Sequence, residues 1–446
     1  MRSSGREVAN EKTQKTHTSF SLPAYHRLLI TFCSRRRSLS GEGIREAASR
    51  TSVHGVNPFI PSYCVTEEGI LFVYGGNIRY MDLNDRQEYV VCNRVNCTHL
   101  TPSCSSFYAG ILDEPEGVAL YQGYIYRFQK NESANAMELI RTDTFGGDKK
   151  VIVSLDIGNY DNDSWMLSSV GNVNYSDGML WAEVRYKYIT ENGETIDHKH
   201  CIGVDLAKEE LFEVTPREAE ESSWYIVGIK QGTLLLRKDW IDGTKDPNAS
   251  EAHRETWMRY DVGKRKLTTL METTKKEMPG DNGENWGWLT RYIILGEYQG
   301  EFLLFEKENE KEDTEQNVAL QIWNLEDNQI RDICTLEKSV LLRLNEDMRH
   351  DVVVDGEFLF SYHYINEDTE KEVRRLRLST GEVETLFTVP ADWDYRITEE
   401  TSDDKSFLLK RYIDVDEELY LISKEDFYSG NLEDMELLRV FEDVYL

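Results

Sequence analysis

The chain has 446 residues, a formal net charge of −30 and a hydrophobic fraction of 40%, which is enough for a sizeable core. This length fits two or three ordinary domains or one large repeat architecture. So acidic a body repels nucleic-acid backbones and anionic membrane surfaces, so we expect neither as a partner. No run of 18 apolar residues occurs in the sequence, and we expect no transmembrane segment.

Residues 1–56 differ in composition from the rest of the chain. They contain ten Lys/Arg and four Asp/Glu, a net charge of +6, whereas the remainder carries −36. They are rich in Ser, Thr and Arg and show no sustained hydrophobic period, so we interpret them as a disordered basic leader or a misassigned start. The apolar stretch 28–33 is too short for a signal peptide, and the sequence as written predicts a cytoplasmic protein.

From about Pro61 onward, short β-branched and aromatic runs alternate with turn residues, as is typical of strands. The runs recur as a longer unit of about four strands, and the residue before the apolar strand of each unit can be aligned. These residues are Gly69, Gly123, Gly178, Gly232, Gly300, Gly356 and Lys405. Their separations of 49 to 68 residues are typical of propeller blades.

We therefore predict an all-β fold, with residues 57–446 forming a single β-propeller of seven blades of about four antiparallel strands. Six or eight blades are the alternatives, and a pair of β-sandwiches is disfavoured because it would not keep one spacing along the chain. The long fourth interval contains polar insertions at 243–253 and 273–288, which we assign to loops. Phe59 and Ile60 are candidates to seal the ring beside residues 437–441.

Three of the seven cysteines are close together in the sequence, with one histidine among them. Cys92, Cys97, His99 and Cys104 have the spacing C-x4-C-x-H-x4-C, in the connection after the first blade. Three thiolates and one imidazole are the ligand set of a structural tetrahedral zinc site. A disulfide, for example Cys97 with Cys104, is the first alternative, and a cluster with neither metal nor disulfide is the second.

This cluster, followed by the repeated strand units, resembles an uncharacterised group of clostridial β-propeller proteins that are similar to TolB-like propellers. The resemblance covers about residues 62–446, and its specific part is the Cys/His cluster. It implies a bacterial propeller that is exported or anchored at the cell envelope. The chain departs from the group at its N-terminus, where no signal or lipobox precedes the domain. The group has no established activity.

Few other residues suggest a site. Trp286 and Trp288 lie in the second insertion, where a tryptophan pair stacks on sugar rings or anchors a partner, and core packing is the alternative. We interpret His198 and His200 as part of a solvated hairpin. The remaining strand cysteines Cys64, Cys201 and Cys334 read as small buried hydrophobes.

No nucleophile elbow, P-loop, zincin motif or dinucleotide-binding fingerprint occurs in the sequence. We therefore predict a non-enzymatic binding or scaffold protein, with a structural zinc ion or a disulfide holding one loop and a protein or carbohydrate as ligand. The alternative is a hydrolase or lyase acting on carbohydrate or peptide at the central funnel of the propeller. No catalytic residue is identified for that alternative.

Overall fold

A computed structural model gives the fold within the second of the two units into which the chain divides, Glu42–Leu446. The residues that it describes are 63–65, 69–101, 103–108, 118–131, 133–156, 165–176, 178–189, 195–216, 222–279, 285–306, 317–337, 353–355, 358–366, 370–390, 392–393, 395–401, 404–413 and 416–441. The basic leader 1–56 and the pair Phe59 and Ile60 lie outside the described residues.

The described strands form five four-stranded sheets, one eight-stranded sheet that contains two further four-stranded blades, and a two-stranded hairpin, and within each of the seven blades consecutive strands pair antiparallel. Blades 1 and 2 consist of β1 (Tyr63–Val65), β2 (Gly69–Tyr74), β3 (Asn77–Asp82) and β4 (Glu88–Val90), then β5 (Ala119–Tyr121), β6 (Tyr124–Asn131), β7 (Ala136–Asp143) and β8 (Lys150–Asp156). Blades 3 and 4 consist of β9 (Trp165–Ser176), β10 (Met179–Ile189), β11 (Thr195–Asp205) and β12 (Glu210–Glu213), then β13 (Ser222–Lys230), β14 (Thr233–Ile241), β15 (His253–Asp261) and β16 (Lys266–Thr274). A single parallel pair, Lys199 with Ser223, joins blades 3 and 4.

Blades 5, 6 and 7 have the same four-stranded arrangement. After the two-stranded hairpin β17 (Lys276–Pro279) and β18 (Asn285–Leu289), blade 5 consists of β19 (Tyr292–Tyr298), β20 (Glu301–Glu306), β21 (Asn317–Asn324) and β22 (Gln329–Glu337). Blades 6 and 7 consist of β23 (Val353–Asp355), β24 (Phe358–Asn366), β25 (Glu370–Arg377) and β26 (Glu382–Pro390), then β27 (Tyr395–Glu400), β28 (Ser406–Ile413), β29 (Asp416–Ser423) and β30 (Glu436–Phe441). A short helix, α1 (Lys424–Ser429), and two 3-10 turns, Ser250–Ala252 and Leu432–Asp434, complete the described elements.

The recurring glycines take up the tight turn between the first and second strands of a blade. Gly232 and Gly300 have φ of 69° and 78°, and an added Cβ would meet nothing within 4 Å, so the backbone conformation alone selects glycine there. In blade 7, where the glycine is lacking, Asp404 adopts a φ of 61°. Gly69 differs, because it begins β2 and an added Cβ would lie 2.3 Å from the Met81 carbonyl oxygen.

The apolar faces of the blades are buried between neighbouring blades. Seven hydrophobic clusters occur among the described residues, and each draws its side chains from two consecutive blades. The seventh interface joins the last blade to the first, since Leu408 and Phe441 of blade 7 pack with Ile70 and Phe72 of blade 1. Sheets that bury both faces against their neighbours in this cyclic order form a closed β-propeller, and the predicted seven blades are confirmed.

A second feature repeats at all seven interfaces: the turn between the third and fourth strands of a blade contacts the preceding blade. The contacts run from blade 2 onto blade 1 and onward to blade 1 onto blade 7, and they are Gly146 with Val91, Glu209 with Arg141, Arg265 with Glu210, Glu326 with Arg259, Gly381 with Cys334, Gly430 with Phe387, and Arg86 with Glu436. Four of these contacts are ion pairs and three are close approaches of a glycine backbone, so the blades share the contact without sharing a sequence motif for it.

The seam between blades 7 and 1 is closed by side chains. The ring of Phe441 lies edge-on to Phe72 and Tyr74, at centroid distances of 5.4 and 5.2 Å. Beside it, Arg439 Nη1 pairs with Glu88 Oε2 at 3.1 Å. Among the described strands, blade 1 and blade 7 each take all four from one continuous segment, so no strand exchange contributes to this seam.

Candidate metal centre

The Cys/His cluster lies in the connection between β4 and β5, within a segment that we call the Cys/His loop (residues 91–108). Both ends of the loop are tied to the edge of β3. Val91 N donates to the Ile78 carbonyl at 3.0 Å, and Ile78 N donates to the Ser106 carbonyl at 2.8 Å. Tyr108 N donates to the Gly76 carbonyl at 2.8 Å. Since β4 has only three residues, the loop continues the outer edge of blade 1 in place of a longer strand.

The four predicted ligands converge. One ligand atom from each of Cys92, Cys97, His99 and Cys104 lies within 4.8 Å of all the others. A tetrahedral zinc ion with Zn–S bonds of about 2.3 Å and Zn–N bonds of about 2.0 Å separates its ligand atoms by roughly 3.5–3.8 Å, so small side-chain adjustments would complete the coordination. His99 Nδ1 lies 3.3 Å from Cys104 Sγ, so the imidazole and this thiol face each other directly.

Backbone conformation and burial explain how so short a segment wraps around one point. Asn96 and His99 have φ of 58° and 60°, in the left-handed region that reverses the chain tightly. Cys104 is buried, whereas the other three ligands are partly exposed. The loop thus approaches the centre from outside, and Cys104 anchors it to the body of blade 1.

A layer of hydrogen bonds surrounds Cys104. Its Sγ lies 3.0 Å from Ser106 Oγ, and Ser106 Oγ donates to Asn77 Oδ1 at 3.0 Å. Burial raises the pKa of the Cys104 thiol, but hydrogen bonds with the Ser106 side chain, His99 and the Ser106 backbone outweigh it and bring the pKa to about 6. A thiolate held by such partners is the form that binds a metal ion.

The pKa of the Cys97 thiol is shifted in the opposite direction. A backbone hydrogen bond with His99 lowers the pKa of its thiol, but burial and the neighbouring Cys104 and Cys92 raise it more, so the net pKa is above its usual value. Thiols that crowd together resist losing all their protons without a cation between them. This disposition of the three thiols suits a divalent metal ion.

A buried arginine lies beneath the Cys/His loop. Arg127, on β6 of blade 2, is 0% exposed, and its Nη2 donates to the Ser105 carbonyl at 2.6 Å. Its Nε and Nη1 have no hydrogen-bond partner among the described residues. Burial lowers the pKa of Arg127 to about 10, and the charges of Tyr108 and Cys104 oppose that effect. Three thiolates and one divalent ion carry a net charge of −1, which would compensate this guanidinium.

The first alternative for the cluster, a disulfide, does not occur in the described residues, where Cys92, Cys97 and Cys104 are free thiols. Cys201 is buried, in agreement with its interpretation as a small core residue, whereas Cys64 and Cys334 are only partly buried. All four candidate ligands come from the protein, which leaves no open coordination position for chemistry.

The two tryptophans of the second insertion lie on strand β18. The prediction that this insertion is a loop is wrong for residues 276–279 and 285–288, which lie on the paired strands β17 and β18. The ring of Trp288 stacks on His253 with a centroid distance of 3.9 Å, and His253 Nε2 lies 2.7 Å from the Pro247 carbonyl oxygen. Trp288 therefore ties the hairpin to the first insertion, and the side chain of Trp286 lies outside the described residues.

The interpretation of His198 and His200 as part of a solvated hairpin is also wrong. Both are buried on β11, where strand alternation directs them toward the same side of blade 3. The ring of His200 stacks on Tyr186 at 5.1 Å, and its Nε2 lies 3.2 Å from Glu213 Oε2.

The sequence reasoning missed Arg127 and Ser106 altogether. The available signal was an arginine inside the apolar strand β6, next to Tyr126 and Phe128, where a charge requires a partner.

No known family and no curated protein matches the chain. Among solved structures, it is similar to the β-propeller domain of the trilobed protease from Pyrococcus furiosus, with 11% identity over 88% of this chain and 100% of that one and a TM-score of 0.44. An oligogalacturonate lyase from Vibrio parahaemolyticus gives 12% identity, coverage of 84% and 92%, and a TM-score of 0.43. TolB from Acinetobacter baumannii gives 10% identity, coverage of 81% and 76%, and a TM-score of 0.29.

Similarities at these identities and TM-scores carry no information on activity. The assignment to the β-propeller class rests on the seven four-stranded blades and on the cyclic order in which they pack. Within the described residues, no helix is long and apolar enough to cross a membrane.

Proposed function

We propose that this chain is a non-enzymatic β-propeller scaffold whose Cys/His loop is held by a structural zinc ion bound to Cys92, Cys97, His99 and Cys104. The observation that carries the proposal is the convergence of four ligand atoms within 4.8 Å of one another. Their chemistry, three sulfurs and one imidazole nitrogen, favours zinc over the harder cations that select oxygen ligands. Zinc would fix a loop that has little apolar core of its own.

A binding role is supported by what the loop displays. The side chains of Val95 and Leu100 are exposed, and Phe145 is exposed on the turn of blade 2 that contacts the loop through Gly146. Apolar side chains held rigidly at the surface favour a protein partner. Zinc is thus a means of presenting these side chains without the conformational freedom that an untethered loop would have.

Elemental analysis of anaerobically purified protein tests the zinc site. We expect about one zinc ion per chain, and loss of that zinc in the Cys97→Ser variant because it removes one of four ligands. The matched control is Cys334→Ser, which removes a partly buried thiol of blade 5 and leaves the zinc content unchanged. Protein without zinc and with one disulfide, or zinc that persists in Cys97→Ser, would overturn the proposal.

Arg127 provides a second test of the same centre. We expect Arg127→Met, which keeps much of the side-chain volume and removes the charge, to weaken zinc binding by about 10- to 100-fold, the usual effect of outer-shell changes. Competition with a chromophoric chelator measures the affinity. Arg331→Met is the control, because Arg331 lies on β22 of blade 5, where its 61% exposed side chain pairs with Glu301 away from the Cys/His loop. Equal zinc affinity in wild type and Arg127→Met would show that the guanidinium does not compensate the metal centre.

A further inference from the structure

A group of cationic side chains lies between blades 3 and 4, away from the Cys/His loop. Arg185 on β10 and Lys199 on β11 are direct partners in the antiparallel register, so their side chains point to the same face of blade 3. Like charges placed directly opposite each other destabilise a sheet. A protein with a net charge of −30 has many acidic residues available to pair with them, so the juxtaposition calls for a functional explanation.

The side chains of Arg185 and Lys199 make no hydrogen bond among the described residues, and of the two only Lys199 has an ion pair there. Within the described residues, the structure gives no hydrogen bond or ion pair to Arg185. Lys199 makes no hydrogen bond there, and its one ion pair places Nζ 3.9 Å from Glu183 Oε2, beyond hydrogen-bond distance. The Lys199 side chain is only 21% exposed, so water does not fully replace the missing partners.

Glu183 is the carboxylate that pairs with Lys199 through Oε2, and its other oxygen is held by neutral donors. Glu183 Oε1 accepts from Asn172 Nδ2 at 2.6 Å and from Ile226 N at 2.8 Å. Burial raises the pKa of Glu183, and the charge of Lys199 and the hydrogen bond with Asn172 oppose that rise.

A third cation faces the pair from blade 4. Lys199 Nζ lies 4.4 Å from the centre of the Tyr225 ring, and Arg237 Cζ lies 4.7 Å from the same ring. Arg237 Nε pairs with Asp239 Oδ1 at 2.9 Å, but Asp239 also takes Lys275 Nζ at 2.8 Å. The Asp239 carboxylate is therefore shared between Arg237 and Lys275.

The charges of this group do not balance. Four cations (Arg185, Lys199, Arg237 and Lys275) stand against Glu183, Asp239 and Glu255, the last of which raises the pKa of Arg237. Glu255 accepts hydrogen bonds from Trp257, Thr273 and the Arg291 backbone, and no ion pair joins it to Lys199 among the described residues. The four cations therefore outnumber the three carboxylates by one, in a chain whose net charge is −30.

We propose that Arg185, Lys199 and Arg237 bind a small oxyanion ligand through a carboxylate, phosphate or sulfate group. Two guanidinium groups and an ammonium group supply the donors that such groups require, and Arg in particular binds them in a bidentate way. Partial exposure of Lys199 makes the group reachable by a small molecule. The site is independent of the zinc centre, because none of its residues contacts the Cys/His loop in the described structure.

Isothermal titration calorimetry of the full chain at low ionic strength tests the proposal, with inorganic phosphate, sulfate and malonate as probes. We expect saturable one-to-one binding of at least one probe with a Kd below about 1 mM. Arg185→Gln and Lys199→Gln should each raise that Kd at least tenfold. The control is Lys238→Gln, which removes a charge from the other face of β14, over Trp224, and should leave the Kd within about twofold.

The same variants separate binding from folding. Arg185→Gln removes one of two opposed like charges and breaks no described ion pair, so it should leave the thermal midpoint unchanged or raise it. Lys199→Gln also deprives the buried Glu183 of its ion-pair partner and should lower the midpoint. Failure of all three probes to bind below 1 mM, or an equal loss of binding in Lys238→Gln, would overturn the oxyanion site. A large fall in the midpoint of Arg185→Gln would show that the opposed pair has a structural role instead.

Discussion

The substitution Phe441→Ala is expected to lower the free energy of unfolding by about 3–5 kcal/mol, the usual effect of deleting a buried phenylalanine ring. Phe441 is buried at the seam between blades 7 and 1, where it contacts Phe72 and Tyr74 edge-on. No described strand is exchanged across this seam, so side-chain packing must hold the ring closed. Removal of the phenyl ring leaves a cavity at the junction between the last and the first blade, which no connecting segment of the chain crosses.

Urea unfolding followed by tryptophan fluorescence measures the change. The control is Leu437→Ala on the same strand, which truncates a side chain that is about half exposed and should change stability by less than about 0.5 kcal/mol. If Phe441→Ala has as small an effect as Leu437→Ala, blades 7 and 1 do not pack as described, and the propeller is open at this seam.

The blade architecture could be predicted because its signals are local. A strand, a glycine-dependent turn and the next strand occupy about a dozen residues, and the turns at Gly232 and Gly300 have the left-handed φ that selects glycine. Repetition of that signal at a near-constant spacing gave seven blades. The contacts between blades, such as Arg86 with Glu436, join residues 350 positions apart and have no local signal.

The metal ligands were predictable for the same reason, since Cys92, Cys97, His99 and Cys104 lie within one short segment. The residues that surround these ligands could not be predicted, because Asn77 and Arg127 belong to the separate strands β3 and β6. The hairpin β17–β18 was missed because its polar composition resembles a loop, and its strands pair with each other and with no blade. The opposed Arg185 and Lys199 become visible only when the register of β10 and β11 is known.

A second large effect is expected for Glu255→Ala, at about 3–5 kcal/mol, because it breaks a buried charged network by removing one partner. Glu255 is fully buried on β15, and its Oε1 accepts from Trp257 Nε1 and Thr273 Oγ1, both at 3.0 Å. The backbone N–H of Arg291, at the start of blade 5, donates to the same carboxylate at 3.1 Å. One side chain therefore ties two strands of blade 4 to the entry of blade 5.

Alanine at this position would leave the buried Trp257 Nε1 without an acceptor, at a cost of about 1–3 kcal/mol, and would also orphan the part-buried donors of Thr273 and Arg291, whose cost water partly relieves. Glu272→Ala is the control: it breaks the surface ion pair with Arg254 on the neighbouring strand and should cost less than about 1 kcal/mol. Urea unfolding of both variants measures the difference between them. Equal effects would mean that Trp257 and Arg291 find other acceptors, so that the junction between blades 4 and 5 depends on the packing of Trp257 against Trp323 alone.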